Sequence, residues 1–147
     1  MSYVLTQGLL SYALTQGLSS YILTLCFVLC FNTRTIVLCS NTGIIVLCFN
    51  TGTIVLCFNT GHIVLCSKTG TLDIYSNKGT IVLCCNKGII FVFSNTGIIV
   101  ICFNTGTFFL CSNTGSIVIC FNTGFSSYVL TRGVLAYVLT NGLLSYG

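Results

Sequence analysis

Between Asn32 and Gly124 the chain runs in nine-residue units, each made of six residues rich in Ile, Val, Phe and Thr followed by Asn-Thr-Gly or a near variant. Alternate positions within the six fall into two sets. One set carries the series from Ile36 to Ile117 and the series from Leu38 to Ile119, both at nine-residue steps, and all twenty positions are apolar. The other carries Thr, Val, Cys and Asn, and accepts Asp73 and Tyr75. A period of two is the signature of a strand with two distinct faces. A lone carboxylate is costly to bury, so the Ile and Leu set is expected inside and the Thr, Val, Cys and Asn set outside. Six β-prone residues bounded by turn formers read as a strand and a turn, the glycine supplying positive φ. A helix is disfavoured, since each glycine costs it about 1 kcal/mol relative to alanine and β-branched runs add to that.

Glycine recurs every nine residues from Gly43 to Gly142, and a nine-residue series from Cys30 to Cys120 breaks only at Tyr75 and Phe93. The chain is therefore a tandem repeat, for which two architectures fit. In an antiparallel β-meander each Asn-Thr-Gly closes a hairpin. In a two-sheet parallel β-solenoid two units make a coil of about 18 residues. A second period favours the solenoid. Thr-x-Thr occurs at Thr33 and Thr35, Thr51 and Thr53, Thr69 and Thr71, and Thr105 and Thr107, all separated by multiples of 18. The residue after the cysteine position follows the same phase, with Phe31, Phe49, Phe103 and Phe121 in one unit type and Ser40, Ser76, Ser94 and Ser112 in the other, and Phe58, Ser67 and Cys85 as exceptions. The expected fold is all-β, with about ten or eleven short strands in the array.

The ends carry a different nine-residue unit, Ser-Tyr-Val-Leu-Thr-Gln-Gly-Leu-Leu at Ser2 to Leu10, with relatives from Ser11 and, near the other end, from Ser127 and Ala136. Codons can be chosen for this unit that read, from their third nucleotide, as Leu-Cys-Phe-Asn-Thr-Gly-Thr-Ile-Val, the unit at Leu47 to Val55. Three regions follow: 1–31 with frame-variant repeats and an apolar junction, 32–124 as the regular array, and 125–147 with frame-variant repeats again. The outer two are expected as caps, with Tyr3, Tyr12, Tyr128 and Tyr137 covering the open edges. The junction's apolar run, Tyr21 to Phe31, is about half the roughly 20 residues of a membrane-spanning helix, so a span is not favoured.

Composition changes the picture in one respect. Hydrophobic residues make up 54% and charged residues 4%, with a mean hydropathy of +1.02, far from the roughly 25% charged content of an ordinary soluble domain. The net charge of +4 comes from dispersed Arg34, Lys68, Lys78, Lys87 and Arg132, which build no phosphate track, so nucleic acid is not an expected partner. No basic residue precedes the first apolar stretch, so a standard signal peptide is not expected.

Candidate chemistry is sparse. The period is similar to that of calcium-binding β-rolls, but those turns need repeated aspartates, and Asp73 is the single acidic residue. Eleven cysteines with one histidine and no Cys-x-x-Cys pair give a poor zinc pattern. Stacked cysteines invite a reactive thiol ladder, a soft-metal stripe or cross-links between coils; the simpler reading is a small apolar filler copied with the repeat. His62 replaces a threonine at one rung and lacks a repeat-related partner. The Thr-x-Thr rows at Thr33, Thr35, Thr51, Thr53, Thr69, Thr71, Thr105 and Thr107 resemble the ice-binding faces of insect antifreeze proteins, which implies a water-ordering surface.

No catalytic constellation, cofactor, metal site or small-molecule substrate is expected. The reading is of a non-enzymatic, low-complexity β-repeat protein without a specific inferable function. It is expected to be structural and self-associating through its strand edges, or else a translated tandem DNA repeat without a selected role. The alternative is the ice-binding surface.

Overall fold

The computed structural model describes the backbone of residues 2–5, 10–23 and 27–147, and side chains from Val28 onward with Arg34 and Tyr146 excepted. Three strands follow in order: β1 (Ser2–Leu5), β2 (Leu10–Leu23) and β3 (Phe27–Tyr146). β3 holds 120 residues, which fully extended would reach roughly 400 Å at about 3.3 Å per residue. Instead it winds. Asn59 bonds Asn41, Asn77 bonds Asn59 and Asn95 bonds Asn77, each across 18 residues, and the rings of Phe31 and Phe49 stack at the same separation. A constant difference between paired residue numbers is parallel stacking, because antiparallel pairs have a constant sum. β1 and β2 pair in parallel at the same step, Ser2 with Ser20. The chain is thus a parallel solenoid of 18 residues per coil and not a meander.

One coil is shorter. β2 pairs with β3 at a 17-residue offset, Gly17 opposite Arg34 and Tyr21 opposite Leu38. Gly17 stands 26 positions before Gly43, one short of three nine-residue units. The shortened coil absorbs the missing residue, so the backbones of Tyr12 and Tyr21 pair in register with Leu29 and Leu38.

The inner face is as the alternation predicts. All twenty positions of the Ile36 and Leu38 series are buried, and they form one continuous cluster to which both units of each coil contribute. A third inner column follows the cysteine position: Phe31, Phe49, Phe58, Phe103 and Phe121 are buried, as are Ser40, Ser67, Cys85, Ser94 and Ser112. Fully burying a Leu, Ile or Phe side chain is worth about 1.5–3 kcal/mol, and here the gain repeats at every rung.

Glycines make the corners. Gly79 has φ 151° and sits directly on Gly61, so a Cβ there would overlap the Gly61 carbonyl oxygen. Coils can approach to strand spacing at this edge because neither glycine carries a side chain.

The glycine phase continues through Gly124, Gly133 and Gly142, and the strand continues with it to Tyr146. Ser126 and Tyr128 take the inner positions and are buried, while Leu130, Leu135 and Leu139 pack partly against the core. Tyr137 is exposed, its ring 6.3 Å from that of Tyr128 and tilted by 49°. The backbones of Tyr3 and Tyr12 lie in β1 and β2; their side chains lie outside the described residues. Among the described residues no helix is long and apolar enough to cross a membrane.

Candidate functional site: a thiol-lined groove

Because a coil is two units long, the single cysteine series of the sequence divides into two columns on opposite outer faces. One column is Cys30, Cys48, Cys66, Cys84, Cys102 and Cys120, without interruption. The other is Cys39, Cys57, Tyr75, Phe93 and Cys111, in which the Tyr75 and Phe93 rings stack at 5.1 Å. Both aromatic replacements therefore fall on one face, beside the second stacked pair of Phe91 and Phe109 at 5.1 Å. All described cysteines are free thiols, and Cys26 lies outside the described residues.

The unbroken column lines an open groove of about 1230 Å³ that runs the length of the array. One wall is the cysteine column; the other is the turn column Asn32, Asn50, Lys68, Asn86, Asn104 and Asn122, with Val138 and Thr140 continuing the two columns beyond Cys120 and Asn122. Its floor is the inner column, where Phe31 stacks on Phe49 at 5.3 Å and Phe103 on Phe121 at 5.2 Å. Between the two ring pairs the floor drops to the smaller Ser67 and Cys85. The Cys85 thiol donates to the Lys87 carbonyl at 3.6 Å. Ser67 Oγ makes no hydrogen bond of full geometry, although it lies close enough to Cys85 to favour its ionised form.

Thiol acidity follows from this placement. Partial burial pushes the Cys48, Cys84 and Cys102 pKa values up, and like charge on the neighbouring cysteines of the column pushes the same way. Cys57 is raised by burial and then by Cys39. Cys85 is raised by burial, which Ser67 and the Lys87 backbone partly offset. A thiol rises when desolvated because its charged form loses water.

Beside the thiols stand amide ladders. Asn41, Asn59, Asn77, Asn95 and Asn113 form an uninterrupted run in which each Nδ2 donates to the Oδ1 one coil back, at 2.9–3.2 Å. The groove-side ladder links Asn32 with Asn50, and Asn86 with Asn104 and Asn122, and is broken by Lys68. The sequence signal for these ladders was the retention of asparagine at every turn of the array except Lys68; reading it as turn chemistry alone missed the bond between coils.

The threonine rows lie in the groove-side turns, where Thr33, Thr51, Thr69 and Thr105 directly follow Asn32, Asn50, Lys68 and Asn104. Thr33 and Thr35, Thr51 and Thr53, Thr69 and Thr71, and Thr105 and Thr107 flank the corner position in one phase, with Lys87 and Ile89 at the missing rung. Thr33, Thr35 and Thr69 are exposed; Thr51, Thr53, Thr71, Thr105 and Thr107 are half-buried. The Thr33 and Thr51 hydroxyls bond each other at 3.0 Å, and Thr51 also donates to the Asn32 carbonyl at 3.4 Å. These hydroxyls join coils, and nothing found supports an ice-binding role. His62 is exposed and Asp73 half-buried, on different unit types. Among the described residues no three His, Cys, Asp or Glu side chains converge as a metal centre.

Comparison with protein-family models, with curated protein sequences and with solved structures finds no match. No specific function follows from likeness.

Proposed function

We propose that the chain is a non-enzymatic, structural β-solenoid whose working property is association with copies of itself. The observation that supports this most is the apolar surface of the units from Phe125 to Leu143. Phe125, Val134, Val138 and Leu143 are 60–68% exposed, on a parallel stack of strands that does not close on itself. An open strand edge with apolar neighbours is a template for further pairing. Charge opposes this weakly, since Arg132 and the lysines are few and dispersed. Among the described residues His62 and Asp73 lie on different unit types and do not form an acid and base pair, which is in keeping with the non-enzymatic reading.

Sedimentation velocity of the 147-residue chain under reducing conditions tests the proposal. Assemblies that grow with concentration are expected, and Val134→Lys with Val138→Lys should return the chain towards monomer. A wild-type chain that stays monomeric across the concentration series would overturn the reading.

A further inference from the structure

We infer that the column of Cys30, Cys48, Cys66, Cys84, Cys102 and Cys120 is a binding site for soft monovalent metal ions, Cu(I) or Ag(I), each held in a line between the thiolates of two adjacent coils. The inference is independent of self-association and rests on spacing. Neighbouring strands repeat at about 4.8 Å, and the zinc–thiolate bond of about 2.3 Å sets the scale of a metal–sulfur bond, so two sulfurs flanking one ion need about 4.6 Å. Cysteines stacked at strand spacing stand about that far apart. The cysteines of this column stand 18 residues apart, the step at which the asparagine and phenylalanine columns stack, and neighbouring thiols along it influence one another's acidity. None is committed to a disulfide, and the groove leaves the column open to solvent along its length.

Ligand type selects the ion. Thiolates are soft donors and favour soft ions. A straight column places two sulfurs, not four, around any point between rungs, which disfavours tetrahedral zinc and agrees with the absence of any three converging ligands among the described residues. Linear coordination needs two. In each step two thiols bind one M⁺ and release two protons, leaving a bis-thiolate unit of charge −1 with sulfur and metal unchanged in oxidation state. Lys68, exposed in the groove wall two residues from Cys66, supplies a cation beside the middle pair. Paired in sequence order, the six thiols hold three ions. The opposite face offers Cys39 with Cys57 as one further pair, while Cys111 stacks next to Phe93 and has no sulfur neighbour on that side.

Two triple variants with equal thiol loss separate this from binding by isolated cysteines. Cys48→Ser, Cys84→Ser and Cys120→Ser together leave Cys30, Cys66 and Cys102 two coils apart, about 9.6 Å at strand spacing. Cys84→Ser, Cys102→Ser and Cys120→Ser together leave Cys30, Cys48 and Cys66 contiguous. Titrating each reduced chain with Ag(I) and counting bound ions by native mass spectrometry should give one more ion on the contiguous variant than on the alternating one. Equal uptake would overturn the inference. Should a variant fail to fold, thiol counting on the wild-type chain serves instead: each Ag(I) should protect two thiols from a disulfide reagent, and protection of one per ion would overturn it.

Discussion

A single asparagine in the middle of its column makes two bonds and one at the end makes one, and this difference is measurable. Asn77 donates to Asn59 and accepts from Asn95, whereas Asn113 only donates, to Asn95, among the bonds of this ladder. At about 0.5–1.5 kcal/mol net per bond, with exposure favouring the low end, Asn77→Ala should cost about 1–2 kcal/mol and Asn113→Ala about half of that. Urea denaturation midpoints check the ratio; equal costs would show that the amides do not act as a ladder. Glycine gives the opposite test, of what cannot be added. Gly79→Ala combines a positive φ with overlap onto the Gly61 carbonyl, so it should destabilise by more than the about 1 kcal/mol of a relaxed site, while Ser116→Ala on an exposed position should stay within about 0.5 kcal/mol. Much of this residue-level detail was legible only in part. Asparagine was visible as a turn former, but its bonds run to residues 18 away, and side-chain pairing of that range depends on the coil being known first.

At the scale of the strand unit, alternation carried the assignment of faces. Because a one-residue slip would turn every side chain over, twenty apolar positions in phase left little freedom, and the structure buries all twenty. Leu56, fully buried at mid-array, should lose about 2–5 kcal/mol on replacement by alanine, read as a lowered thermal or urea midpoint. The thiols predict a pH effect. Folding raises the pKa of Cys48, Cys57, Cys84, Cys85 and Cys102, so the folded chain holds protons that the unfolded chain releases. Their contribution is fully present below the unfolded thiol pKa of about 8.5 and is lost as pH rises through the folded values. Stability under reductant should therefore fall above about pH 8.5, and Cys48→Ser with Cys102→Ser should flatten the fall. A flat wild-type profile to pH 9.5 would contradict the raised thiol pKa values. The groove itself was hidden from the sequence, since one series of cysteines separates into two faces only when two units close a coil.

Over the whole molecule, the 18-residue period in Thr-x-Thr and in the Phe and Ser alternation favoured the coil over the meander without deciding between them, because residues stacked in one column share an environment and units on opposite sides do not. The 17-residue coil between β2 and β3 was present in the sequence as the displaced phase of Gly17 against Gly43, and its meaning appears only once the columns are seen to realign. The C-terminal units were harder, since their inner residues Ser126 and Tyr128 break the Ile and Leu pattern; the glycine spacing that they keep is what carries the coil through them. The central claim is parallel winding with a constant step. Solid-state or solution NMR on isotope-labelled chain would test it through contacts between amide protons of neighbouring strands. Residue pairs differing by 18 throughout the array are predicted; pairs whose numbers sum to a constant about each Asn-Thr-Gly would mean a meander and contradict the account.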